Sequence, residues 1–254
     1  MDIRDAKPSR VRLDGGEVHL WWGRIEVQDW DAILGSLSDE ERRRGERFRR
    51  GEDARAFHFR RAFRRSVLAR HAGVAARELA FVEGEFGKPS LAPPHERVRF
   101  NASSSAGWVL VAVTSGREIG VDVEQADERF LAPEELSRLA RRVLTPAEQA
   151  DLARLPAGER SRALLRAWTR KEALLKALGT GLSREPDTLE VGIEPHAGWK
   201  RLESGCALDL VAPANCFAVL ASAGNAGLQP GSVLRFSPRL FSEERAGLEP
   251  GAPG

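Results

Sequence analysis

The chain lacks the marks of a disulfide-stapled, zinc-bound or membrane protein. It has two cysteines, Cys206 and Cys216, and no histidine cluster beside either. That supports no zinc site. A disulfide between them is allowed but not implied, and thiols in a reducing compartment are the plainer reading. The opening Met1-Asp2-Ile3-Arg4-Asp5-Ala6-Lys7 has no apolar core, so no signal peptide is expected. No apolar run approaches the roughly 20 residues needed to span a bilayer. A cytoplasmic protein without a membrane partner is therefore expected.

Net charge is also slight, +2 over 254 residues, but unevenly spread. Between Arg42 and Arg70, twelve arginines face only Glu46, Glu52 and Asp53. Such a block attracts a polyanion. The aromatic-basic interleaving of RNA-recognition modules is absent. A solvated helix face is the ordinary alternative, and nucleic acid is not an expected partner. The basic residues are overwhelmingly arginine, which a GC-rich genome alone would produce. With 42% hydrophobic and 30% charged residues the composition is ordinary for a globular chain. Its length admits one large domain or two small ones with a real core.

Residues 1–16 read as a loose leader and 237–254, rich in Gly, Pro and Glu, as a disordered tail. Between them, Glu17–Val27 reads as a strand. Ser38 is a helix N-cap followed by acids. A helix is predicted from Asp53 to about His71, with Ala56, Phe59, Phe63 and Val67 as its apolar stripe, arginines on its other faces and Gly73 closing it. A short strand over Glu78–Glu83 leads to a turn-rich loop, Gly84–Pro94. Strands follow at Arg97–Ser103, Trp108–Ser115 and Ile119–Glu124. Helices are predicted over Pro133–Val143, after the capping box Thr145-Pro146-Ala147-Glu148, and from Glu159 to Leu178. Strand candidates close the chain at Thr188–Ile193, Ala207–Val211, Phe217–Ser222 and Val233–Phe236. Helices and hairpin-like strands thus mix in an N-terminal half, 17–118, and a C-terminal half, 119–236, favouring an α+β class.

Two short segments carry the chemistry. In Gly120-Val121-Asp122-Val123-Glu124 the carboxylates are two residues apart, so on a strand they share a face while the valines point inward. Two hard oxygen ligands suit Mg²⁺ when phosphates and water complete its shell. The alternative is an amphipathic strand with a solvated outer face. In Trp168-Thr169-Arg170-Lys171-Glu172-Ala173-Leu174-Leu175-Lys176, Glu172 and Lys176 lie one helical turn apart, with Trp168 on the same stripe. The alternative there is a surface ion pair worth about 0.3–0.5 kcal/mol. Lys88 in Gly87-Lys88-Pro89 and the polar run Asn101-Ala102-Ser103-Ser104-Ser105 could meet an anion. Each also reads as a plain turn or polar loop.

Order and co-occurrence change that reading. Asp53-Ala54-Arg55 in a basic stretch, Phe86-Gly87-Lys88-Pro89, Phe100-Asn101-Ala102-Ser103, the Asp122/Glu124 segment and the Trp168–Lys176 segment follow one another. This resembles the 4′-phosphopantetheinyl transferase superfamily, of the longer surfactin-synthetase-activating type, over roughly residues 18–222. The resemblance implies two similar α+β halves forming a pseudo-dimer, with the active site in the cleft between them. It implies transfer of phosphopantetheine from coenzyme A to a serine of an apo acyl or peptidyl carrier protein, releasing adenosine 3′,5′-bisphosphate. It further implies Asp122, Glu124 and Glu172 as Mg²⁺ ligands, Glu172 as general base and Lys176 as the cation on the diphosphate. Coenzyme A contacts fall to Arg50, Arg55, Lys88, Pro89, Asn101, Ser103 and Ser104. A monomer is expected, since one chain supplies both sides of the cleft. Ser104 departs from the family pattern, which often has histidine there: a hydroxyl donates a hydrogen bond but carries no charge. Two rival readings remain at this stage. One is a coenzyme A or carrier-protein binder with weak or lost transfer. The other is a nucleic-acid binder using the arginine block, which leaves the carboxylates without a role.

Overall fold

The computed structural model describes residues 16–25, 29–126, 132–224 and 234–237. The expected leader and tail lie almost wholly outside these residues. Strand β1 (Val18–Arg24) leads into three helices, α1 (Trp30–Gly35), α2 (Asp39–Glu46) and α3 (Gly51–Ala72). Ser38 caps α2 in a reciprocal box: its Oγ accepts from Glu41 N–H and the Glu41 carboxylate accepts from Ser38 N–H, both at 3.2 Å. Next come β2 (Phe81–Glu83) and β3 (Pro89–Leu91), then β4 (Val98–Ser105), β5 (Trp108–Ser115) and β6 (Ile119–Gln125). Ala106 and Gly107, at φ +45° and +84°, make the two-residue turn between β4 and β5.

The second half contains α4 (Pro133–Val143), α5 (Pro146–Arg154), α6 (Ala157–Leu178), β7 (Trp199–Leu202), β8 (Gly205–Asp209), β9 (Cys216–Ala223) and β10 (Leu234–Ser237). One sheet has the order β10-β1-β5-β4, the other β6-β9-β8-β7. The sheets face each other through Val18, Leu20, Leu110 and Ala112 on one side and Ile119, Val121, Val123 and Leu220 on the other. Helices α1 and α3 cover the outer face of the first sheet through Phe59, Phe63 and Val67. Helices α4, α5 and α6 cover the second through Leu152, Leu164 and Leu174. The protein is thus an α+β fold of two halves in four layers. Because the first sheet is covered on both faces, β5 is buried continuously from Val109 to Thr114 instead of alternating. No helix among the described residues is long and apolar enough to cross a membrane.

Several expectations need correction. Gly84–Pro94 is not only a loop, since Pro89–Leu91 pairs antiparallel with Phe81–Glu83. Thr188–Ile193 is not a strand. Leu189, Val191 and Ile193 alternate because they enter the core under α6, while the Val191 and Gly192 N–H groups, both at 2.8 Å, donate to Glu148 Oε1 and not to a neighbouring strand. Strand β7, with Lys200 and Arg201 in it, gave no apolar signal because it is a sheet edge. The weak candidate at 233–236 pairs parallel with Val18–Trp21, so the chain's last described strand joins the first half's sheet. Arginines do not all occupy the solvated faces of α3. Arg64 and Arg65 are buried, and Arg65 Nη1 donates to Ala76 O and Leu79 O, both at 2.9 Å.

Candidate active site

Strand β6 lies between the intersheet core and α6. Val121 and Val123 point into that core, which turns Asp122 and Glu124 toward α6. The strand can approach the helix closely because residue 120 is glycine: a Cβ there would stand 2.0 Å from Ala173 O. Asp122 is 2% exposed. Burial pushes its carboxyl above the ordinary aspartate range, opposed by the Lys176 ammonium and by hydrogen bonds from Lys176 and Ser103.

Helix α6 brings Trp168, Glu172 and Lys176 to this face. Lys176 Nζ sits 2.6 Å from Asp122 Oδ1 and donates to Ser103 Oγ at 3.2 Å. Its ion-pair partner is therefore Asp122 on another element, and not Glu172 one turn away on its own helix. Glu172 is half-buried. Burial raises its carboxyl above the ordinary glutamate range; Lys176 lowers it, and Asp122 and Glu124 push it up further. Glu124 is raised by burial and then by Asp122, against hydrogen bonds from Ser105 and Trp168. Trp168 thus orients a carboxylate, a role its place on the Glu172 stripe only hinted at.

The first half contributes β4. Asn101 Oδ1 accepts from Val121 N–H at 2.8 Å, Ser103 Oγ donates to Asp122 Oδ1 at 2.7 Å and Ser105 Oγ donates to Glu124 Oε2 at 3.0 Å. The three alternate along the strand, so they share one face. Ser104 stands on the other. It is exposed, in register with Val109 and, beyond that, Gly23, the row covered by Phe63 of α3. Asn101 and Ser103, expected as coenzyme A contacts, hold the β6 backbone and a carboxylate in this structure. Ser105 was not singled out from the sequence, although its two-residue spacing from Ser103 was the available signal.

Lys88 lies where the two halves meet. Its Nζ is 2.6 Å from Glu118 Oε2, 3.1 Å from Ile119 O and 3.5 Å from Ala177 O, so in this state it ties the two halves together. Pro89 begins β3 opposite Glu83. Arg50 and Arg55 are exposed at the start of α3, where Arg55 lies 5.6 Å from the Trp30 ring. Nothing brings either one to the carboxylates. A tighter cationic group forms between α2 and the middle of α3. Arg44 and Arg61 flank Phe57 at 5.8 and 5.3 Å, and Arg64 lies over Phe81 at 4.4 Å and Phe100 at 5.9 Å. Arg64 is pushed down to about 10, by burial first and then by Arg61. Phe100 and Ser104 share a face of β4, so these arginines and Ser104 lie on one side of the first half. The spacing of Arg61 and Arg64 from Phe57 on one helix was legible in principle, but a twelve-arginine block hides which members converge.

The donor set suits a hard divalent cation. Asp122 Oδ2 is buried and has no hydrogen-bond partner, and two further carboxylates with raised affinity for protons surround it. Among the described residues no three His, Cys, Asp or Glu groups stand close enough to hold a metal by themselves. Mg²⁺ does not need that many, since it keeps several waters and commonly takes one or two carboxylates plus substrate phosphates. Carboxylates and a lysine where the halves meet, with a cluster of arginines on the first half, supply the charges that phosphoryl transfer uses.

Comparison with known proteins gives a consistent result. A family model described as 4′-phosphopantetheinyl transferase superfamily matches residues 118–207. A second, described as 4′-phosphopantetheinyl transferase, N-terminal, matches residues 22–116. The two matches meet in the turn between β5 and β6. Over 233 residues the chain is 34% identical to the 4′-phosphopantetheinyl transferase HetI of a Nostoc species, covering 88% of this chain and 94% of that protein. It is 29% identical over 167 residues to the 4′-phosphopantetheinyl transferase Sfp of Bacillus subtilis, covering 66% and 71% respectively. A phosphopantetheinyl transferase from a Thraustochytrium species is 30% identical over 155 residues, covering 58% of this chain and 54% of its own.

Proposed function

Because the chain belongs to the 4′-phosphopantetheinyl transferase superfamily, it transfers phosphopantetheine from coenzyme A to a carrier protein, and we propose that Asp122, Glu124, Glu172 and Lys176 perform this in the groove between its halves. The acceptor group is a serine hydroxyl. Its oxygen bonds to the pantetheine-side phosphorus of the coenzyme A diphosphate. The bond from that phosphorus to the adenosine-side phosphate oxygen breaks, and adenosine 3′,5′-bisphosphate leaves.

Glu172 is the base. Its raised carboxyl affinity for protons, caused first by burial, moves it toward the pH at which a base works best. It takes the serine proton directly or through one water. Lys176, already held against Asp122 and Ser103, presents its ammonium to the charge developing on the leaving phosphate. Asp122, Glu124 and Glu172 would hold Mg²⁺, Asp122 through the oxygen that lacks a partner. Bound there, the ion would supply the charge that positions and neutralises the diphosphate. The first half supplies the anion-binding side: Lys88, Arg50 and Arg55, and with Ser104 the arginines Arg44, Arg61 and Arg64. Arginine suits bidentate phosphate contacts, so their charge offsets the absence of histidine at position 104. A monomer suffices, because one chain supplies both sides.

The observation that carries this reading is the contact of Asp122 on β6 with Lys176 on α6, beside a buried Asp122 oxygen with no partner and with Glu124 and Glu172 electrostatically coupled to both. None of the named relatives is described as a binding protein, so a non-transferring binder gains no support. The test is to incubate the purified chain with coenzyme A, Mg²⁺ and an apo carrier protein and to weigh the carrier by mass spectrometry. The expected result is a gain of one phosphopantetheine. No gain on several carriers that a second transferase modifies in parallel would overturn it.

A further inference from the structure

Strands β4 and β6 run side by side but belong to different sheets and share no ladder hydrogen bonds. Strand β6 pairs with β9 along one edge only. Its other edge presents an N–H group at every second residue. Val121 N–H goes to Asn101 Oδ1 at 2.8 Å, Val123 N–H to the Asp122 carboxylate, and Gln125 N–H to Ser105 Oγ at 3.1 Å. At Val121 and Gln125, side chains of one half thus stand in for the missing strand partner of the other, at the segment that carries the cation-facing carboxylates.

We propose that Ser105, together with Ser103, is a positioning residue that sets the orientation of the Glu124 and Asp122 carboxylates across the boundary between the halves. This rests on the reading of the groove given above. A hydroxyl has one proton to donate. The Ser105 oxygen already accepts from Gln125 N–H, and its proton is directed at Glu124 Oε2, 3.0 Å away. Ser103 is constrained in the same way: its oxygen accepts from Lys176 Nζ at 3.2 Å and its proton goes to Asp122 Oδ1 at 2.7 Å. One oxygen of each carboxylate is therefore committed to a β4 serine. For Asp122 the remaining oxygen is the buried one without a partner. Groups that hydrogen-bond to ligand carboxylates fix their orientation, and losing one typically weakens metal binding. The period of two excludes Ser104 from this role, because it faces the arginine side.

The test is Mn²⁺ binding to the full chain with coenzyme A present, followed by loss of the free-ion paramagnetic resonance signal. Wild type, Ser105→Ala and Ser105→Thr are compared after their unfolding midpoints are shown to match. Ser105→Ala is expected to weaken Mn²⁺ binding by roughly 10–100-fold, and Ser105→Thr, which keeps the hydroxyl, to restore it. Coenzyme A binding measured without divalent cation is unchanged in Ser105→Ala. Wild-type Mn²⁺ affinity in Ser105→Ala, or no recovery in Ser105→Thr, overturns the positioning role while leaving the groove's function standing. Absence of Mn²⁺ binding in wild type overturns the groove reading itself, and the positioning role with it.

Discussion

Helices α3 and α6 are built alike and do different work. Each has 22 residues, each ends on a glycine at φ +75°, and each covers the outer face of a four-stranded sheet. Counted from its start, each buries two adjacent basic residues at the same places, Arg64-Arg65 in α3 and Arg170-Lys171 in α6. In both halves these clamp a neighbouring segment. Arg65 holds Glu41 and the carbonyls of Ala76 and Leu79. Arg170 holds Asp209 and the carbonyls of Gly192 and Glu194, and Lys171 holds Glu148 and Val143 O. The next position separates the halves: Ser66 in α3, Glu172 in α6. One turn later it is Arg70 against Lys176. Two similar frames therefore make one asymmetric groove, because only α6 sends a carboxylate into it.

The largest expected effect follows from that one position. Glu172→Ala removes the base and a cation-facing carboxylate together. The turnover number should fall by about 10³-fold, the upper end for removing one group that stabilises a transition state. Ser66→Ala, at the matching place in α3, should leave the steady-state rate unchanged. Equal losses in both variants, with matched unfolding midpoints, would break the comparison. Next in size is a packing contrast. Gly120→Ala drives a Cβ to 2.0 Å from Ala173 O, a backbone atom that cannot step aside. Gly23→Ala meets the Phe63 ring at 2.7 Å, and a side chain can turn. Denaturant unfolding should show a loss of about 3 kcal/mol for the first and about 1 kcal/mol for the second, the two ends of the overpacking range.

A smaller effect sharpens the arginine side. Arg61→Ala should raise KM for coenzyme A by about tenfold, as expected for losing one hydrogen bond to a charged group. With 3′-dephospho-coenzyme A the same variant should show no such rise. Arg50→Ala and Arg55→Ala, at the exposed start of α3, provide the calibration. If they match Arg61→Ala, the phosphate lies nearer the helix start than the Phe57 cluster.

These contrasts also mark how far the sequence could be read. Helix ends governed by local chemistry were legible. Thr145 and Glu148 make their box, and α4 spans Pro133–Val143 as predicted. Local rules failed where a distant partner competed with a near one. The i,i+4 spacing favoured Glu172 for Lys176, yet Asp122, 54 residues away, holds it. Alternation at Leu189, Val191 and Ile193 reported burial correctly but said nothing about pairing, which Glu148 pre-empts. For Ser105 and Trp168 the sequence held only a hint, because each acts on Glu124 across an element boundary. The order of motifs located the groove. Which face each serine of β4 presents followed only from the register of that strand against β5.

The last contrast is electrostatic. Burial raises the carboxyls of Asp122, Glu124 and Glu172. A carboxyl with a folded value above its unfolded one is disfavoured as an anion by folding, so stability falls as pH rises between the two values. The cost is complete once the pH has passed the raised value. On the other side burial lowers Arg60, Arg61 and Arg64, the last to about 10. Their charged forms are disfavoured by folding at every pH below that value. One half therefore carries a cost that a cation relieves and the other a cost that an anion relieves. On the proposed reading, coenzyme A and Mg²⁺ would meet between the halves and relieve both together, while each alone would leave the opposite side uncompensated. The unfolding midpoint at neutral pH should therefore rise more with both ligands than the sum of the separate rises, since a ligand stabilises by its affinity and each raises the other's. Asp122→Asn, which removes one buried charge without changing shape, should raise the ligand-free midpoint by a few degrees and abolish the excess. Strictly additive shifts in the wild type would show that the two sides are independent and that the groove does not join them.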